Sequence, residues 1–203
     1  MGVPERKERE KMEMKELIKS AALKCFLEDG VAKTSIRNIA DEIEYSPGTI
    51  YLYYKDKDEL LYDVQSDAFG KLWQAFTENV TSNNTVERLQ QLGKTYITFG
   101  LQNPELYDLM FIIRAPMNVD EEIHKANGGN CLDFLSECLA ACIAEGSLIV
   151  TDLNAAVLQI WATAHGLVSL NLRCRLKVMQ TKEEEVPDTL LATMENYIRS
   201  VTK

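Results

Sequence analysis

The chain has 203 residues with 31 acidic and 22 basic side chains, a formal charge of -9, 46% hydrophobic residues, and only 10 glycines and 5 prolines. Such a composition excludes a disordered or fibrous chain and suits one medium domain, or a small domain joined to a larger one. No uninterrupted apolar stretch approaches the ~18 residues of a membrane span, and Met1 to Glu16 alternates charges instead of forming a secretory leader. A cytoplasmic protein with no membrane partner is therefore expected.

Net acidity disfavours phosphate binding, which Lys and Arg drive. The distribution softens this: residues 1–60 hold 11 basic and 13 acidic side chains, and residues 61–203 hold 11 and 18. Most of the excess acid lies late in the chain, so a local basic patch near the start can still meet nucleic acid.

Read in chain order, the pattern is helical almost throughout. Met14, Leu17, Ile18, Ala21, Ala22, Cys25 and Phe26 form one apolar stripe of a helix that Asp29-Gly30 stops. Ahead of it, Glu5 to Lys11 reads either as a basic arm on DNA, through Arg6, Lys7 and Arg9, or as a solvated extension of that helix held by local ion pairs. Thr34 offers an N-cap oxygen to a short helix burying Ile36, Ile39, Ala40 and Ile43. After a turn at Glu44-Tyr45, Ser46 caps a third helix running to about Tyr54, with Pro47 at its first position. Asp56 to Glu59 opens a fourth, longer helix through Leu60, Leu61, Val64, Ala68, Leu72, Trp73 and Phe76.

Beyond a polar loop at 80–85, helical patterns cover about 85–101, 104–114, 129–145, 151–178 and 187–201, with a break at Asn127-Gly128-Gly129. About nine helices and no strand are expected. Residues 153–172 carry so little charge that this helix must bury more than one face. The acidic run Glu183-Glu184-Glu185 reads as a solvated linker. Cys131, Cys138 and Cys142 share a helix stripe. Core packing accounts for them most simply, redox sensing is the alternative, and the absence of a Cys-x-x-Cys pair leaves zinc little support. No cofactor and no metal site is expected. With two histidines, no phosphate loop and no Ser–His–Asp or Cys–His order, catalysis has no candidate residues.

Two short helices around a tight turn, packed on an amphipathic helix, are the parts of a helix-turn-helix. The second must begin with small residues to approach a groove or the DNA backbone, and Ser46-Pro47-Gly48-Thr49 meets that demand. Ile39-Ala40, Ser46-Pro47-Gly48-Thr49-Ile50-Tyr51-Leu52-Tyr53-Tyr54 and Lys57-Asp58-Glu59-Leu60-Leu61 resemble the N-terminal domain of the TetR family of bacterial transcriptional regulators. The turn departs from that pattern: members carry Ala-Gly and an apolar residue before the Ser, and this chain has Ile43-Glu44-Tyr45.

The resemblance implies an all-α protein, with a DNA-binding domain at 1–56 and a helical regulatory and dimerisation domain at 57–203. It makes Thr34 a cap, Arg37 a phosphate or groove contact, and Ser46, Pro47, Gly48 and Thr49 the leading edge of the recognition helix. Tyr51 and Tyr53 become groove or phosphate contacts, Lys57 a backbone clamp and Lys33 a further phosphate contact. Ile50, Leu52 and Tyr54 could divide the packing, with the face that Leu52 takes left open. No Arg or Lys lies between Ser46 and Tyr54, so reading is expected through hydroxyl, methyl and shape contacts, not bidentate guanine contacts.

Residues 99–111 with Trp161, His165 and Gly166 resemble the Trp-His-Gly type of TetR regulatory domain. Trp161 and His165 share a helix face. His165 is either a satisfied core histidine or a polar handle in a ligand cavity. Trp73, Tyr96, Phe99, Tyr107, Met110 and Phe111 could line such a cavity or simply form core, and Arg114 meets an anionic group or solvent. A small hydrophobic or aromatic effector suits this mix.

The resemblance makes the last two helices a two-fold interface, with Ala162, Gly166 and Ser169 allowing close approach and Met194, Tyr197, Ile198 and Val201 forming an apolar edge. The implied protein is a homodimeric repressor on an operator with two half-sites, released by its effector. The alternative is a dimeric helical adaptor, or a ligand-independent regulator with weak DNA binding.

Overall fold

The computed structural model describes residues 3–113, 128–179 and 182–203. Arg114 and Asn127 lie outside the described residues. Nine α-helices run through the described residues: α1 Val3–Glu28, α2 Ile36–Glu42, α3 Pro47–Ile50, α4 Lys57–Asn79, α5 Thr85–Gln102, α6 Pro104–Tyr107, α7 Gly129–Ala144, α8 Leu153–Leu172 and α9 Val186–Val201. Among the described residues the sole β feature is a bridge between Leu148 and Thr202.

The chain divides into two compact units. The first comprises the described residues up to Ala68 and those from Asp108 to Ile113; the second comprises Phe69–Tyr107 and the described residues from Gly128 onward. In the first, α1 buries Ile18, Ala21, Ala22, Cys25 and Phe26, while Leu17 of the expected stripe stays exposed. Residues 5–11 belong to α1, where Arg6 pairs with Glu10 at 2.7 Å and Arg9 with Glu13 at 3.5 Å. Lys19 joins α1 to α4 by an ion pair to Asp67 at 2.7 Å, and Gln65 Nε2 donates to Leu109 O at 2.7 Å.

The second unit is built around α5, which packs against α7, α8 and α9. Glycine makes two of those contacts possible. A Cβ on Gly93 would lie 3.0 Å from Met194 Cγ, and one on Gly100 only 2.6 Å from Val168 Cγ1. Cys138 and Cys142 are buried on α7. Burial raises the pKa of both thiols and pushes that of Cys131 up to about 12, as expected of packing groups and not of reactive thiolates.

Several expected boundaries move. The third helix is α-helical only through Ile50. The helix expected over 104–114 gives way after Tyr107 to a π-helical turn, Asp108–Ile112. The helix expected over 151–178 ends at Leu172, where Cys174 turns left-handed at φ 55°, and resumes as a 3-10 turn, Arg175–Met179. By length and mean hydropathy α8 also qualifies as a membrane span. Leu, Val, Ile and Ala raise that mean, while Asn154, Gln159, His165 and Asn171 interrupt the run, so α8 is not the uninterrupted apolar stretch whose absence the sequence suggested. Its buried stripe is Ala156, Ile160, Ala164 and Val168, inside the second unit.

Candidate nucleic-acid interface

The helix-turn-helix is assembled by its caps. Gly30, at φ 84°, ends α1. The α2 cap is Ser35, not Thr34 as the sequence suggested: Ser35 Oγ accepts from Asn38 N at 3.2 Å, and Asn38 Oδ1 accepts from Ser35 N at 2.9 Å. Thr34 is only 2% exposed, and its hydroxyl donates towards Gly30 O at 3.0 Å and Cys25 O at 3.1 Å. Those carbonyls also accept backbone bonds, Cys25 O from Asp29 N and Gly30 O from Lys33 N and Thr34 N, so the buried hydroxyl is a further donor at the end of α1 and Thr34 leaves the DNA-facing set.

The turn that lacks the family's glycine keeps a left-handed geometry. Glu44 sits at φ 58°, Glu44 N donates to Asp41 O at 3.2 Å and Tyr45 N to Ala40 O at 3.0 Å. That pair of bonds is the Schellman ending of a helix, with Glu where glycine ordinarily stands. Its neighbours hold it there at a cost of about 1–2 kcal/mol for an L-residue.

Ser46 caps α3 as expected. Its Oγ accepts from Thr49 N at 3.2 Å and lies 3.0 Å from Thr49 Oγ1. The two hydroxyls proposed to read DNA are thus engaged with each other. The chain winds on for one more turn, with Tyr53 N and Tyr54 N both donating to Ile50 O, at 2.9 and 3.0 Å. Ile50 and Tyr54 are buried, and Tyr54 Oη donates to Asp63 Oδ2 at 2.7 Å. Burial, that hydrogen bond and the Asp63 charge raise the Tyr54 pKa, so the phenol stays neutral. Leu52 does not share the packing: it is 80% exposed, beside Tyr51 at 55%. Pro47 and Tyr53 are half-buried, and Gly48 is exposed, with a built Cβ meeting only Ser46 Oγ at 3.6 Å.

The basic residues divide by employment. Lys57 Nζ donates to Val31 O at 2.8 Å and Thr34 O at 2.9 Å, closing the loop before α2 onto α4, and Lys24 is paired with Glu42 at 2.6 Å. Lys33, Arg37 and Lys55 are exposed, and among the described residues none of their side chains has an ion-pair partner. Lys55 is an addition that sequence reasoning passed over. Its signal was its place, at the exposed bend between the recognition segment and α4.

In the second unit, four of the suggested pocket residues come together. Tyr107 Oη lies 2.7 Å from His165 Nδ1 and 2.8 Å from Tyr96 Oη, and Trp161 stands near enough to the Tyr96 phenol to favour its ionised form slightly. The Tyr107 and His165 rings stack with centroids 5.7 Å apart. Burial lowers the His165 pKa and pushes Tyr96 up to about 12, so the cluster is neutral.

The other four pocket candidates lie elsewhere. Phe99 lines a groove of about 440 Å³, of mixed polar and apolar character, with Ala75, Gln91, Lys94, Thr95 and Thr98. Trp73 is exposed, and Met110 and Phe111 fall in the first unit.

The α9 edge expected to face a second copy is corrected in part. Met194 and Ile198 are 1% and 0% exposed, packed within the single chain over Gly93, and so are unavailable to a partner. Tyr197 and Val201 are half-buried, Ala162 is exposed, and Gly166 and Ser169 are half-exposed on α8.

Comparison with known proteins agrees with this geometry. Residues 18–64 match the model of bacterial regulatory proteins of the tetR family, and residues 89–194 match that of the tetracyclin repressor-like C-terminal domain. A curated relative, an uncharacterized HTH-type transcriptional regulator of Haemophilus influenzae, is 29% identical over 97 residues, 47% of this chain; the match spans about half, 52%, of that relative.

Among solved structures, a protein of unknown function from Rhodococcus sp. RHA1 superposes with a TM-score of 0.77 at 21% identity, covering 93% of this chain and 95% of that one. The fatty acid degradation regulator FadR from Bacillus halodurans does so with a TM-score of 0.70 at 19% identity, covering 90% and 96%. With both halves matched and the helix-turn-helix built as described, the chain belongs to the TetR family of bacterial regulatory proteins, which are DNA-binding transcriptional regulators and not enzymes.

Proposed function

We propose that this protein is a cytoplasmic homodimeric repressor that binds an operator with two half-sites and is released by a small hydrophobic or aromatic molecule. The observation that carries the DNA half is the set of exposed cations without ion-pair partners among the described residues, Lys33, Arg37 and Lys55, in the same unit as the exposed Gly48, Tyr51 and Leu52. Phosphate contacts from such cations supply affinity and position the protein, and the exposed surface supplies selectivity.

One recognition segment buries too little for useful specificity, which calls for a second copy. The exposed side of α8 supports one, since Leu158, Trp161, Ala162 and Leu170 are exposed there and a Cβ on Gly166 would meet nothing within 4 Å. Ser169, Tyr197 and Val201 extend that side. The neutral Tyr96–Tyr107–His165 cluster, with Trp161 ahead of His165-Gly166, supports the Trp-His-Gly reading and an effector with one polar group on an apolar body. Effector binding then lowers DNA affinity by as much as it prefers the other state of the dimer, whose half-site spacing is about 34–36 Å or a multiple.

Fluorescence anisotropy on the DNA upstream of the protein's own gene tests this. Sequence-specific binding by a dimer, lost in the Arg37→Gln/Tyr51→Ala double variant, is expected; equal weak binding to every duplex at physiological salt would sink the proposal. Lys57 is unsuited to that variant because its ammonium holds the fold together.

A further inference from the structure

In a recognition segment without Lys or Arg between residues 46 and 54, the groups that ordinarily read guanine are missing. The structure removes a second class. Ser46 Oγ and Thr49 Oγ1 lie 3.0 Å apart, and Ser46 Oγ also accepts from Thr49 N, so both hydroxyls serve the α3 cap. Ile50 and Tyr54 are inside, Tyr53 is half-buried, and Gly48 has no side chain. What projects is Tyr51 and, further out, Leu52.

An isolated exposed leucine needs no explanation. Leu52 is not isolated. It lies in the turn that continues α3, four residues after the exposed Gly48, beside the exposed Tyr51 and three residues before the exposed Lys55. Lys33, Arg37 and Lys55 of the same unit, without ion-pair partners among the described residues, fit a polyanion and not a protein core.

We propose that Leu52 is the apolar base reader of this protein, its side chain packing on the C5-methyl of a thymine in the major groove of each half-site. The inference rests on the regulator reading above. Thymine is the base that presents a methyl group there, so a branched apolar side chain distinguishes it from cytosine, and equally from uracil, without any hydrogen bond. Desolvating one methyl group against leucine corresponds to about a fourfold change in binding per half-site. Two half-sites bring this to about fifteenfold.

The test selects binding sites from a random duplex library with the full-length wild-type chain and, in parallel, with Leu52→Ala and Leu52→Asn. Each thymine of the wild-type consensus is then replaced by deoxyuridine, and affinities are measured by anisotropy. The expected result is one symmetry-related thymine pair whose replacement weakens wild type about fifteenfold and Leu52→Ala less than about twofold. Because Leu52 is 80% exposed, both variants should melt with the wild type.

The deoxyuridine comparison in the wild type stands without any variant. Wild-type binding indifferent to every thymine-to-uracil exchange overturns the Leu52 assignment and leaves the regulator intact. The same holds if Leu52→Ala discriminates as the wild type does. Failure of wild type to enrich any sequence overturns the regulator reading, and this assignment with it.

Discussion

The two glycines at Gly48 and Gly100 show how differently the two units use absent side chains. A Cβ on Gly100 would strike Val168 at 2.6 Å, so that glycine is required by the protein's own packing. A Cβ on Gly48 would find only Ser46 Oγ at 3.6 Å, an ordinary contact, so nothing within the fold needs a glycine there. The polar groups divide the same way. In the second unit Tyr96, Tyr107 and His165 satisfy one another, whereas in the first Lys33, Arg37 and Lys55 have no ion-pair partner among the described residues. A binding surface is recognisable by what the fold leaves unused, and a core by what it consumes.

The largest effects should come from those two glycines. Gly100→Ala should lose about 1–3 kcal/mol of stability from overpacking. Gly48→Ala should gain about 0.5–1 kcal/mol, because alanine orders the backbone at less entropic cost, yet bind operator about tenfold more weakly, a difference of about 1.4 kcal/mol. Urea melts and anisotropy on the same samples check both, and a Gly48→Ala protein that melts lower while binding normally would erase the contrast.

Next is Glu44→Gly, which relieves the left-handed turn and should stabilise by about 1 kcal/mol in urea melts. It also removes a carboxylate close to the recognition segment, so DNA affinity should rise with stability.

Charge should separate more finely. Lys33→Gln, Arg37→Gln and Lys55→Gln should each lower the slope of log K against log salt by about 0.9 for every phosphate left without its cation, with melting unchanged. Lys57→Gln should leave the slope alone and lower the melting temperature, because it breaks two bonds to carbonyls. The reverse pattern would move Lys57 into the interface.

The smallest effect concerns His165. Its folded pKa is lowered from 6.5 by burial, so the unfolded chain binds the proton more readily. Its contribution is therefore complete above about pH 6.5 and is lost as pH falls through the lowered folded value. Thermal melts between about pH 5 and 8 should show a loss on acidification that His165→Gln reduces.

Much of the first unit was legible because local chemistry writes it: Gly30 as a stop, Ser46-Pro47 as a start, Asp56 to Glu59 at a positive helix end. The misreadings arose where a distant atom decides. Thr34 and Ser35 are adjacent hydroxyls that can each cap a helix, and Cys25 O, nine residues back, draws Thr34 inward. Lys57 is claimed by Val31 O, 26 residues away. Helical spacing marked Met194 and Ile198 as an apolar edge, but spacing cannot say whether that edge meets the chain's own α5 or a second copy. Lys55 went unassigned, and Leu52 was offered to the packing, because exposure, not residue type, distinguishes them. The break after Leu172 carries no Gly or Pro to announce it.

Four helices end on a left-handed residue. Two of these are the glycines Gly30 and Gly146, and two are Glu44 and Cys174. Each of the latter codons is a single base change from glycine, so relief lies within reach of ordinary mutation and touches no buried atom. A lineage carrying both holds an untapped margin against heat, and substitutions that improve operator choice at a cost in folding can be absorbed by releasing either one.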